Sequence, residues 1–197
     1  MGIFYKVTEK ELLQLRKKIV VDAAIPALQK QGFSESPFTI AWNGRNNLGD
    51  FSYELCRMTA DSLIQIIEVY VSRGDRWIQL KLNVFRLYPK LESIEELRGI
   101  DGLQFKLPPN SLTELRLRVD DIKGMPLLRL RYMNGHRLKR YYTKSGLRQS
   151  IIRLRGTIEK DIRNIDRFVS RWNELHQPLV TNWIGHQVKG TPSTNDI

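Results

Sequence analysis

From Phe51 to Leu87 an apolar residue recurs at nearly every second position through three consecutive runs, 51–59, 63–73 and 76–87. This alternation constrains the fold more than any other feature of the chain, because a period of two gives each run one face to bury and so predicts three strands. Gly74 and Asp75 stand where a two-residue hairpin turn is expected, with glycine first as a type II′ turn prefers. That turn sets Val71 opposite Ile78, Val69 opposite Leu80 and Ile67 opposite Leu82, a wholly apolar face. The other face receives Ser72 opposite Trp77, Tyr70 opposite Gln79 and Glu68 opposite Lys81, the last an attractive cross-strand pair. The turn also accounts for Arg73-Gly74-Asp75, a tripeptide read by cell-adhesion receptors, without invoking secretion.

Helical periods flank this meander. Thr8 and Glu11 form a capping-box pattern, and Leu12, Leu15, Ile19, Ala23 and Ala27 follow at helical spacing until Gly32, predicting a helix over about 8–30 with a bend near Pro26. A short strand around 38–42 and a polar loop over 42–50 come next, and 93–98 reads as one or two helical turns. A second meander is expected over 112–119, 126–133 and 136–143, its last turn marked by Asn134-Gly135. From Ser145 the apolar residues Leu147, Ile151, Leu154, Ile158, Ile162, Ile165, Val169 and Trp172 trace a near-heptad seam, and Pro178 ends that helix. The expected architecture is therefore a single α+β domain over 1–177. It has an N-terminal helix, two antiparallel β-meanders in one sheet or two, and a long C-terminal amphipathic helix. That helix lies across the sheet or joins a second copy through 147–172, and 178–197 is an extension that frays at its end.

Charge is concentrated in one region. The chain of 197 residues carries 32 Lys+Arg against 21 Asp+Glu, net +11, and 16 basic against 5 acidic residues fall within 116–171, which alone accounts for the excess. Alternation along the second meander predicts that Arg116, Arg118, Arg129, Arg131 and Arg140 share an outer face with Tyr142 beside them. Such a face suits a phosphate backbone, with tyrosine available to stack on bases, although a solvated face with structural ion pairs reads the same way. The side of the last helix opposite its seam is also basic, with Arg148, Arg153, Arg155, Lys160, Arg163, Arg167 and Arg171.

Most local enzyme signatures are missing: no Gly-rich phosphate loop, His-Glu-x-x-His or Gly-x-Ser-x-Gly occurs. His136, His176 and His186 lack metal-ligand spacing, so no metal or cofactor is expected. The single Cys56 reads as a small buried hydrophobe rather than a nucleophile. Without a signal-peptide pattern, a disulfide framework or a membrane-length apolar run, a soluble cytoplasmic protein is expected. Glu54, Asp61 and Glu68 form a candidate carboxylate cluster across the first meander. The polar stretch holding Trp42, Asn43, Arg45, Asn46 and Asn47 is a candidate loop site, or a connection stabilised by Asn side-chain turns.

The leading functional expectation is a non-enzymatic binding protein whose basic surface holds an acidic partner, nucleic acid foremost and an acidic protein second. An enzyme assembled from dispersed residues near 42–50 and a homodimeric structural protein joined by the C-terminal helix are the alternatives. A continuous positive surface favours the first, a deep pocket with convergent Glu, Arg and Asn the second, and an exposed apolar seam the third.

Overall fold

A computed structural model describes residues 5–41, 43–59, 62–121 and 135–188. The capping box forms as the sequence suggests: Thr8 Oγ1 accepts from Glu11 N and the Glu11 carboxylate accepts from Thr8 N, opening α1 (Glu9–Ile19). A π-helical turn over Val20–Ala24 then leads into α2 (Ile25–Lys30). Pro26 explains this irregularity, because proline has no N–H to donate and its ring crowds the carbonyl four residues back. That carbonyl, Asp22 O, accepts a long bond from Arg155 instead.

The strands are β1 (Ser34–Glu35), β2 (Asn43–Arg45), β3 (Phe51–Met58), β4 (Leu63–Val71), β5 (Gln79–Leu87), β6 (Leu115–Arg116) and β7 (Leu179–Thr181). They form one sheet in the order β1-β3-β4-β5-β6, with β2 also on β3 and β7 also on β5. All pairs are antiparallel except β5–β7. The β4–β5 register has Ile67 opposite Leu82, Val69 opposite Leu80, Glu68 opposite Lys81 and Tyr70 opposite Gln79, the pairing the turn at Gly74-Asp75 predicts. Two helices close the chain, α3 (Lys144–Arg163) and α4 (Ile165–Leu175). The architecture is α+β, and no described helix is long and apolar enough to cross a membrane.

Four expectations are corrected. The single long C-terminal helix is broken at Asn164, whose side chain donates to Lys160 O. Of the strand expected over 38–42, the described residues 38–41 form a turn instead, and the strands lie on either side of it. The chain does not leave the fold at Pro178: β7 joins the sheet, and Gly185 packs so closely on Phe105 that an added Cβ would lie 2.8 Å from its backbone nitrogen. Of the second meander, the first strand is cut short to β6 and 136–143 carries a single bridge at Arg137, while the strand expected at 126–133 lies outside the described residues.

Both faces of the sheet are used. On the first, Phe51, Leu55, Ile67, Val69, Leu80 and Leu82 pack with Leu13, Val20 and Leu28 of the N-terminal helices and Leu154, Ile158, Ile162, Phe168 and Trp172 of the last two. Most of the heptad-like seam, from Leu154 to Trp172, is thus spent in the core of its own chain. On the second face Cys56, Ile64, Phe85 and Leu87 meet Phe38, Leu91, Leu97 and Phe105 from the connecting segments in a smaller core. Burial pushes the Cys56 thiol to about 12, so at neutral pH it is an un-ionised hydrophobe. Arg16 ties α1 to the hairpin: only 1% exposed, it donates to Asp75 Oδ1 at 2.8 Å, Ser72 O at 2.9 Å and Trp77 O at 3.0 Å.

Ile158 has no solvent exposure. Ile158→Asp should therefore abolish cooperative thermal unfolding, since an unpaired carboxylate there costs upward of about 4 kcal/mol. A folded, soluble variant in circular dichroism would mean that the seam is a surface.

Candidate nucleic-acid interface

The segment after Gly135 reaches the sheet through a contact remote in sequence. Ile78 N donates to His136 O at 2.8 Å and Leu138 N to Arg76 O at 2.9 Å, a single antiparallel bridge centred on Trp77 and Arg137. Gly135 lies against the Trp77 indole, where an added Cβ would come within 2.2 Å of a ring carbon. This glycine is required for close approach, not for a type I′ turn, because its φ lies outside the left-handed region. The Arg137 guanidinium then sits 5.5 Å from the centre of the same indole.

A buried carboxylate fixes the inner side of this segment. Asp161, on α3 and 5% exposed, accepts from His136 Nε2 at 2.7 Å and from Arg118 through both Nε and Nη2. Burial opposes its ionisation, but the hydrogen bonds and charges of His136 and Arg118 outweigh burial and hold its carboxyl below the usual range. Arg118 takes a left-handed backbone, φ 64°, in the turn that follows β6. That turn ends the strand expected to run to Val119 and directs the guanidinium to Asp161, away from the predicted outer face.

With His136 and Leu138 inward, the intervening and following side chains face water. Arg137, Lys139, Arg140, Tyr142, Lys144 and Arg148 are all exposed, Tyr142 by 62%. Among the described residues none of Arg137, Lys139, Arg140, Lys144 and Arg148 forms an ion pair with a carboxylate, in contrast to Arg155 with Glu159 and Arg171 with Glu174. The reason is visible in the sequence, where no Asp or Glu occurs between Asp121 and Glu159. Thr143 caps α3 by accepting from Gly146 N at 2.9 Å, and the first turn contains no acidic residue and one lysine. Positive side chains thus stand at the positive end of the helix dipole, an arrangement that attracts anions.

The predicted outer face is therefore only partly formed. Arg140 and Tyr142 are exposed, Arg118 is held by Asp161, and Arg116 is half-buried opposite Lys81. Arg129 and Arg131 lie outside the described residues. Arg137, Lys139 and Lys144 were not singled out by alternation, and the carboxylate-free run is the signal that finds them. The candidate loop is a hairpin: Asn43, Gly44 and Arg45 pair with Tyr53, Ser52 and Phe51, and Asn46 Oδ1 accepts from Leu48 N and Asp50 N. Asn47 is exposed in that turn, and Trp42 lies outside the described residues. No group of three or more metal-ligating side chains occurs among the described residues.

No protein-family model matches the chain, and neither curated proteins nor solved structures show significant similarity to it.

Removing Asp161 tests the anchor. Asp161→Asn should lower stability by about 3 kcal/mol, near the lower bound for a broken buried pair because Arg118 keeps part of its side chain in water. Since the native carboxyl is depressed below its unfolded value, its contribution is complete at neutral pH. It is lost as pH falls from about 4 through the native value. Urea titrations at pH 7 and pH 3 should therefore differ less for the variant than for the parent, and equal differences would contradict the assignment.

Proposed function

We propose that this chain is a non-enzymatic binding protein that holds an acidic partner, nucleic acid first among them, along residues 137–148. The observation that carries this reading is the set of five exposed cations, Arg137, Lys139, Arg140, Lys144 and Arg148, none ion-paired among the described residues. Ordinary solvated faces intersperse both signs, whereas a run without carboxylates maintains a positive field that draws polyanions and releases their counterions on binding. The strip has two parts with different geometry. Arg137, Lys139 and Arg140 project from the segment that precedes α3, and Lys144 and Arg148 share one side of α3 at a spacing of four. Phosphates along a strand are met by the first group and the last phosphate by the helix terminus, while Tyr142 offers its ring to a base. A cytoplasmic location remains part of this proposal.

Fluorescence anisotropy with labelled 12-nucleotide DNA and RNA, single- and double-stranded, tests it. Binding should be saturable, with the logarithm of the association constant falling linearly in log salt at a slope of up to about −3.5 for single strands and about −4.5 for duplex DNA when all five cations meet phosphates. Replacing Lys139, Arg140, Lys144 and Arg148 together with Gln should weaken binding by at least about a hundredfold and flatten that slope, with little change in melting temperature. A slope unchanged by the substitutions, or a melting temperature lowered by more than about 8 °C, would sink the proposal.

A further inference from the structure

The second face of the sheet carries a built polar pocket that the binding strip does not use. Register places Glu54 of β3 directly opposite Glu68 of β4, two like charges on neighbouring strands. Such a pair is unfavourable unless cations intervene. Two do: Lys106 Nζ lies 2.7 Å from Glu54 Oε2, and Lys81 Nζ lies 3.4 Å from Glu68 Oε2 and 3.2 Å from Glu114 Oε1. Glu68 Oε1 also accepts from Ser52 Oγ at 2.7 Å. The three carboxylates and two ammonium groups line, with Asn83, Phe85, Phe105 and Ser111, a cavity of about 250 Å³.

The balance of partners is incomplete at one atom. Glu54 is 4% exposed, yet its Oε1 is buried and accepts no hydrogen bond among the described residues. Three carboxylates also face two ammonium groups, leaving one negative charge in excess. A buried carboxylate oxygen with no donor is among the costliest polar arrangements a fold can hold, and on a residue that lines a cavity it points to a donor from outside the chain, met by a small rotation of the carboxylate. The cavity floor contributes Phe85 and Phe105, which suit a short apolar stem behind the charged head.

We infer that this pocket binds a small organic cation with N–H donors, an alkylguanidinium or alkylammonium head, which donates to Glu54 Oε1 and neutralises the excess charge. A free metabolite or an arginine or lysine side chain of another protein would present the same chemistry. The cavity volume limits the buried part to one such head and a few carbons.

The test is an amide-resolved NMR titration of the whole chain with n-propylguanidinium, with the neutral isostere n-propylurea as control. Saturable shifts at Ser52, Glu54, Glu68, Lys81 and Asn83 with the cation, absent with the urea, are expected. Glu54→Gln should weaken the cation at least tenfold. Ser111→Leu, which narrows the cavity and keeps every carboxylate, should do the same and covers the case in which the first variant does not fold. A Gly-Arg-Gly amide that binds tenfold tighter than n-propylguanidinium would mark a protein side chain as the natural occupant, and equal affinity a free small cation. Equal response to the urea, no saturable response at millimolar concentration, or cation binding unaffected by Ser111→Leu would overturn the inference. None of these outcomes depends on nucleic-acid binding, which is read by Lys139 to Arg148 on other elements.

Discussion

The arrangement depends most on one buried carboxylate. Asp161 lies inside a helix that packs on the first sheet face, and from there it grips a histidine and an arginine that belong to two other segments. An ionised group so placed is tolerable only with its partners, and for that reason the partners cannot leave. His136 is held inward, and the chain continues outward with Arg137, Lys139 and Arg140 in water. Lys139 N donates to Ser150 Oγ at 2.8 Å, a second tether to the same helix. The positive strip is thus held on a rigid backing, which lowers the conformational cost of presenting several cations together.

Arg16 does for the turn of the first hairpin what Asp161 does for the segment bridged to it. Its guanidinium supplies donors to a carboxylate and to two backbone carbonyls that a tight hairpin leaves unpaired. Burial works against its charge, and Asp75 and Asp50 offset that cost. All three hairpin bonds come from Arg16 Nη1, and Nε donates to Leu12 O at 3.2 Å, so one planar group joins the hairpin to its own helix as a lysine ammonium could not. Asp50 completes the end: although burial opposes its ionisation, bonds from Tyr70, Arg73 and Ser72 keep its carboxyl below the usual range. Buried charges therefore fasten the helices and the 136–138 segment to the hairpin end of the sheet, while the apolar residues supply the core.

Local signals were read correctly from the residues. The capping box at Thr8, the helical turn over 93–98, the β4–β5 register and the apolar seam of the C-terminal helices all rest on contacts between residues close in sequence or periodic along it. Alternation misled where a long-range contact decided the outcome. The residues 136–143 carry a strand-like pattern, but their partner is the end of the first hairpin, selected by Trp77 and Gly135. Arg118 looked like a surface residue because nothing near it in sequence announces Asp161, 43 positions away. The pocket on the second face was half legible: Glu54 and Glu68 follow from register, whereas Lys106, Ser111 and Glu114 come from irregular turns with no periodic signature.

The central claim is that residues 137–148 form the contact surface for an acidic partner. Hydrogen exchange of the chain with and without a saturating 12-nucleotide strand at low salt tests it most directly. The account predicts that added protection is confined to 137–148 and the first turns of α3, and that it disappears at high salt. Protection centred on another part of the chain, or none despite binding, would contradict it.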